Sequence, residues 1–207
     1  MDYYVPLLPN KIYHVVSRAV GSEKLFLHQE NYRFFLERYE KYISPVAATF
    51  AFALLPNHFH FLIQVRSPEI LLEQYKRLYP EKTPPDGWPP VLVMRQFSNM
   101  LNSYVKSFNK VYHRKGSLLM DYMRRVEVMD ERQFTATAFY IHKNPVHHGY
   151  CLQLNQWRWT SYKAILSDTQ TKLERDKLLE CFGGKKCFVD YHAREIHLKW
   201  AAAIEYP

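Results

Sequence analysis

The sequence predicts an α+β fold: a ferredoxin-like antiparallel sheet with helices packed on one face. Two observations carry that prediction. Short β-rich runs alternate with longer stretches whose apolar residues recur at helical spacing. Their order along the chain is strand, helix, strand, strand, short helix, long helix, strand, helix.

The first strand is read over Ile12-Tyr13-His14-Val15-Val16-Ser17-Arg18. A helix follows at 29–43, where Tyr32, Phe35, Leu36, Tyr39 and Ile43 share a face. Thr49 to Leu55 is a second apolar strand, Pro56-Asn57 a turn, and the run from Asn57 to Val65 the paired strand. A short helix is predicted from Pro68 to Tyr79. The segment 80–90 carries five prolines and reads as an inserted surface loop. A long amphipathic helix follows at 91–112, with Phe97, Leu101, Tyr104, Val105, Phe108 and Tyr112 along its apolar stripe. Arg124 to Val128 is a candidate last strand. Asp130, with Gln133 three residues on, starts another helix, which Pro145 is expected to end near Asn144.

Composition limits the function. At 207 residues with 47% hydrophobic content, the chain reads as one domain over 1–207 with a C-terminal tail from about 165. Lys and Arg number 28 against 20 Asp and Glu, for a net charge of +8, a balance that favours polyanionic partners. Sixteen Tyr and thirteen Phe can fill a core and also offer surfaces on which bases stack. The Met1-Asp2-Tyr3-Tyr4 start shows no signal peptide, and no run approaches the ~18 apolar residues of a membrane span. Cys151, Cys181 and Cys187 are an odd number, which argues for free thiols in a reducing compartment. A soluble cytoplasmic protein is expected.

Two groups of residues point to chemistry. Alternation along a strand places His58, His60, Leu62 and Gln64 on one side, and Phe59, Phe61, Ile63 and Val65 on the other. The uniformly apolar side should pack on the helices, leaving the two imidazoles on the more open face, where together they can grip a divalent ion. On the last predicted helix, a step of about 100° per residue places Gln133, Thr137, Tyr140 and Asn144 on one stripe, beside an apolar stripe of Phe134, Ala138 and Ile141. A tyrosine hydroxyl with a pKa near ~10 is a poor nucleophile until its target is polarised. An ion on His58 and His60 could do that, with Asn144 as a third, oxygen ligand. Lys106, Lys110, Arg114, Lys115, Arg124 and Arg125 form a basic cluster suited to phosphates.

Taken in order, these segments resemble the HUH single-tyrosine transposases, and within them the REP-associated tyrosine transposases. The resemblance runs through Tyr13 to Arg18, Leu54-Leu55-Pro56-Asn57-His58-Phe59-His60-Phe61-Leu62 and Tyr140-Ile141-His142-Lys143-Asn144-Pro145-Val146. It continues through Trp157-Arg158-Trp159-Thr160-Ser161-Tyr162 and Cys181-Phe182-Gly183-Gly184, with Phe188 and His192. It implies metal binding by His58 and His60, attack by Tyr140, and Asn144 in the place of a metal-coordinating Gln or Asn. It further implies Mg²⁺ or Mn²⁺ as the ion and single-stranded DNA with a hairpin as the substrate. Where the residues alone are read, a non-catalytic DNA or RNA hairpin-binding module and a water-using metallo-phosphodiesterase stay open, as does a homodimer. Zinc held by Cys181, Cys187 and His192 fits no standard spacing.

Overall fold

A computed structural model describes residues 5–120 and 123–194; the Met1–Tyr4 start read for a signal peptide lies outside them. The elements run β1 (Ile12–Arg18), α1 (Gln29–Tyr42), β2 (Ala47–Leu55), β3 (His58–Val65), α2 (Pro68–Leu78), α3 (Trp88–Val111), β4 (Arg124–Val128) and α4 (Glu131–His147). Three short helices follow: α5 (Tyr162–Leu166), α6 (Arg175–Cys181) and α7 (Lys185–His192). The sheet has the order β2-β3-β1-β4 and every pairing is antiparallel. The predicted α+β class and antiparallel sheet are what the chain forms.

Alternation along the strands sets up two cores. On one face, Tyr13, Val15, Phe59, Phe61, Ile63 and Val65 pack with Phe35 and Tyr39 of α1 and with Phe97, Tyr104 and Phe108 of α3. Aromatic contacts bind this layer: Tyr39 stacks on Phe61 at 4.1 Å between ring centres, and Phe35 meets Phe59 at 5.1 Å.

The other face is not open. Ala51, Ala53, Leu55, Leu62 and Val128 lie in a second core with Phe134, Ala138, Tyr140 and Ile141 of α4, together with Leu178 and Phe188 from the C-terminal helices. Helices therefore cover both faces, rather than the single face expected. The reason lies in β2, which is apolar on both sides and buried at eight of nine positions. Its pairing with β3 shifts register between Thr49 and Ala51, so Phe50 and Ala51 both join the second core. A sheet apolar on both sides needs two covers. The expected tail from 165 is thus part of the body. Its backbone is tied down as well, since Glu174 N donates to Thr49 O at 2.9 Å.

The free edge of β2 is also covered. Leu54 N donates to Trp159 O (2.8 Å), Ser161 N donates to Phe52 O (3.0 Å), and the Trp157 indole N–H donates to Leu54 O (2.9 Å).

Two boundaries differ from expectation. The proline-rich loop ends at Gly87, and Pro89 and Pro90 lie in the first turn of α3, where a missing N–H breaks no helical bond. Helix α4 runs through Pro145 to His147. Only Val146 and His147 follow that proline in the helix, and its end is closed by bonds from His148 N to Asn144 O (3.0 Å) and Tyr150 N to Pro145 O (2.9 Å). The start of α4 matches the sequence reading: Gln133 N donates to Asp130 Oδ1 at 2.7 Å, and Met129 N donates to Gln133 Oε1 at 2.8 Å. Asp130→Ala is expected to cost about 1 kcal/mol. Thermal denaturation should show a fall of roughly 2–4 °C, and an unchanged melting temperature would mean that the cap is replaced by solvent.

Candidate active site

The strand pair β1–β3 and helix α4 enclose a small polar island inside the second core. Register places Val16 opposite His60 and Arg18 opposite His58, with His14 one step further along the same face. From β3, His58 and His60 meet with 5.1 Å between ring centres. From α4, Tyr140 sets its ring edge-on to His60 at 5.5 Å, and the Asn144 amide lies one turn further on. Asn144 Oδ1 stands 2.9 Å from His58 Nε2, and Asn57 Oδ1 stands 2.7 Å from His58 Nδ1. The structure thus brings His58, His60, Tyr140 and Asn144 together within one chain.

It also buries them. His60 and Asn144 are fully buried, His58 is 9% exposed and Tyr140 2% exposed. The two stripes of α4 explain this correction to the expected open face. The apolar stripe packs on the small side chains of β2, which draws the polar stripe down onto the imidazoles. Thr137, on that polar stripe, is buried as well.

A third histidine joins the pair. His14 Nε2 stands 3.0 Å from His60 Nδ1, and the two rings stack at 5.2 Å. Burial holds His14 as a neutral base, with its pKa lowered to about 3; the Arg124 charge adds to the effect. Burial likewise holds His60 well below the usual range, followed by the charges of His58, His14 and His148. Both rings therefore stay uncharged at neutral pH and keep a lone pair. The sequence reading overlooked His14. Its only signal was its place on the strand that pairs with the His-x-His run, and alternation alone does not give that register.

Whether these groups fit a divalent ion can be judged from atoms left over. His60 Nε2 and Asn144 Nδ2 are buried without a hydrogen-bond partner, an arrangement that costs about 1–3 kcal/mol for each such atom. His14 occupies His60 Nδ1, as an orienting group does behind a metal-bound imidazole. His58 has an amide oxygen at each nitrogen, and a neutral ring carries only one N–H. With a neutral ring, one of the two amides turns its NH₂ toward it. Two imidazoles and one amide that can present its oxygen suit an ion with both N and O ligands. Among the described residues, no group of three or more His, Cys, Asp or Glu side chains gathers to hold a metal. His192 is not part of a zinc site with the cysteines: both its ring nitrogens are bonded, to His142 and to Phe188 O.

The basic cluster is dispersed. Lys106 and Lys110 on α3 and Lys115 beyond it are exposed. Arg114 is a structural clamp, donating to Asn109 Oδ1 (2.8 Å) and to Glu23 Oε1 (2.9 Å). Arg125 donates to Val5 O (2.6 Å) and Met123 O (3.1 Å), and so anchors the N-terminal segment. Arg124 lies opposite Val16, on the same sheet face as His60.

No protein-family model and no curated protein matches the chain. Among solved structures it is similar to a REP-associated tyrosine transposase bound to a REP hairpin. The TM-score is 0.52 at 11% identity, covering 81% of this chain and 86% of that chain. The two share a fold. The shared portion is most of both chains. Among the described residues, no helix is long and apolar enough to cross a membrane.

Proposed function

We propose that this protein cuts and rejoins single-stranded DNA carrying a hairpin, with Tyr140 as nucleophile and His58, His60 and Asn144 holding Mg²⁺ or Mn²⁺. The observation that carries this reading is the edge-on contact of Tyr140 with His60, within a fold shared with a hairpin-bound tyrosine transposase. The step is a transesterification. The Tyr140 oxygen forms a bond to phosphorus, the bond from phosphorus to the 3′-oxygen breaks, and the tyrosine proton ends on the released 3′-hydroxyl. The strand is left joined through its 5′-phosphate to Tyr140. Reversal by the same or another 3′-hydroxyl seals a junction, and neither ATP nor water is consumed. A bound divalent ion would supply charge withdrawal from a phosphate oxygen. The chain's own contribution is placement: α4 holds the Tyr140 ring against His60 before any substrate arrives.

The burial of Tyr140 and His60 favours a second reading, a non-catalytic module that binds DNA or RNA hairpins. One experiment separates them. The full chain is incubated with a hairpin oligonucleotide bearing single-stranded flanks, in Mn²⁺ or in EDTA, and run on a denaturing gel. A covalent protein–DNA band in Mn²⁺ that EDTA removes is expected. Tight binding with no band would select the binding module, and cleavage without a band would select attack by water.

Charge gives an independent check. Each phosphate contact should add roughly 0.7 to the slope of log affinity against log salt for a single strand. Lys106→Ala should flatten that slope by about one contact, whereas Arg114→Ala should act mainly on stability, through its bonds to Asn109 and Glu23. An unchanged slope in Lys106→Ala would make that lysine merely solvated.

A further inference from the structure

A row of aromatic rings leads out of the imidazole site. His58 meets His148 at 5.0 Å between ring centres, His148 meets Tyr150 at 6.3 Å, and Tyr150 meets Trp157 at 5.5 Å. Trp157 in turn meets Tyr32 at 6.5 Å. Tyr32 also lines a surface groove with Lys24, Phe26, His28 and Pro56, the last just ahead of the Asn57–His58 end of β3. The rings therefore connect the buried site to an open groove at the same end of the sheet.

Core packing does not explain the middle of this row. Tyr150 is 40% exposed, follows the left-handed Gly149 that ends α4, and lies outside both cores. Its loop is held in shape all the same. Leu152 N and Gln153 N both donate to Gln156 Oε1, and the Trp157 indole is fixed on Leu54 O. An exposed ring on a pre-ordered loop loses little entropy when another flat ring settles on it. The charge beside the row is positive. The Arg158 guanidinium lies over Trp159 at 5.3 Å, and Lys24 lines the groove. The one groove-lining carboxylate, Glu30, is paired with Arg33 at 3.3 Å. Aromatic faces bordered by cations suit a polyanion with exposed π-faces, and a single nucleic-acid strand is such a ligand.

We infer that Tyr150, backed by Trp157, is a stacking platform for unpaired bases of the strand whose phosphate reaches Tyr140, and that the groove beyond takes the next nucleotides. This deepens the nuclease reading and rests on it for the position of the phosphate. It assigns the strand path to one end of the sheet, beside the His58 end of β3.

The test uses the full chain and two hairpin oligonucleotides, one blunt and one with a single-stranded flank that carries 2-aminopurine. Binding is read by anisotropy, and stacking by quenching of the 2-aminopurine. Tyr150→Ala should weaken the flanked hairpin roughly tenfold, the scale of one base on one ring. It should remove the quench and leave the blunt hairpin unchanged, while Tyr150→Phe should restore both signals. Trp157 is left in place because its indole N–H supports Leu54 O. Wild-type affinity of Tyr150→Ala for the flanked hairpin would overturn the inference. Equal weakening of both hairpins would overturn it too, since it would reflect a general surface or a site for another class of partner. Failure of the nuclease reading looks different. A Tyr150-dependent quench with no covalent band in Mn²⁺ would remove the chemistry and keep the platform.

Discussion

Tyr140→Phe is expected to abolish the covalent protein–DNA band and cleavage together, a loss of at least about 10³-fold if the hydroxyl is the nucleophile. The substitution removes one oxygen and keeps the ring, which packs edge-on against His60 at 5.5 Å and near His14 at 6.2 Å. Its neighbours in the second core, Ala138, Ile141 and Leu62, are untouched. A volume-conserving change of this kind usually costs less than ~1.5 kcal/mol. Thermal denaturation should therefore overlay that of the wild type within a few degrees, and affinity for a flanked hairpin should persist. The three readings of the site part company here. A tyrosine transesterase loses its activity, an enzyme that activates water keeps cutting, and a binding module shows no cut in either form. Residual cleavage above a hundredth of wild type in Tyr140→Phe would end the assignment of Tyr140.

The sequence already showed most of this site, for a physical reason. Strand alternation and helical spacing are local, so they could place His58 with His60, and Tyr140 with Asn144, on shared stripes. That the two stripes meet is a tertiary fact. It depends on α4 lying on the β2–β3 side of the sheet, which follows from the apolar second face of β2 rather than from any motif. His14 went unseen because the β1–β3 register decides which strand residue stands beside His60. The proline at 145 misled: it forgoes one bond to the turn before it, yet the helix carries on for two residues and is closed by His148 N on Asn144 O and Tyr150 N on Pro145 O. Arg114 and Arg125 looked like phosphate ligands because charge can be read from sequence. Their carboxylate, amide and carbonyl partners lie from two to more than a hundred residues away. The Trp157–Tyr162 segment was singled out by resemblance alone. Its work as cover for the β2 edge appears only in the hydrogen bonds that Leu54 makes with Trp157 and Trp159 and Phe52 makes with Ser161.

Acidification is expected to destabilise the fold through buried histidines. A hydrogen-bonded chain crosses the second core from α7 to β2. His192 Nδ1 donates to Phe188 O at 2.8 Å, which leaves its Nε2 to accept from His142 Nδ1 at 2.9 Å. His142 Nε2 then accepts from the Ser161 hydroxyl at 2.7 Å, and that oxygen accepts from Phe52 N at 2.9 Å. Every link has one donor and one acceptor only while both rings are neutral. A proton added to His192 sets its Nε2–H against the His142 Nδ1–H inside the core, whereas a charged His142 could still donate to Ser161 if that hydroxyl turned to Phe52 O at 3.4 Å. Burial accordingly lowers His192 from 6.5 to about 4, against the Phe188 carbonyl, which pulls upward, and with a smaller push from Lys143. Burial and then His192 hold His142 well below its ordinary value. Because the folded pKa lies below the unfolded one, the unfolded chain binds more protons across this window. The stability from His192 is complete above pH 6.5 and is lost as pH falls toward 4, to the extent of about 3 kcal/mol. His14, also lowered by burial, acts in the same direction. Urea denaturation at pH 7.5 and at pH 4.5 should show that loss in the wild type. His192→Gln, which can still accept from His142 but does not titrate, should start less stable and fall less steeply. Equal stability of the wild type at both pH values would mean that the chain tolerates charge, and that ring packing such as Phe188 on His142 and Tyr191 on Phe139 dominates the hold of α7 on α4.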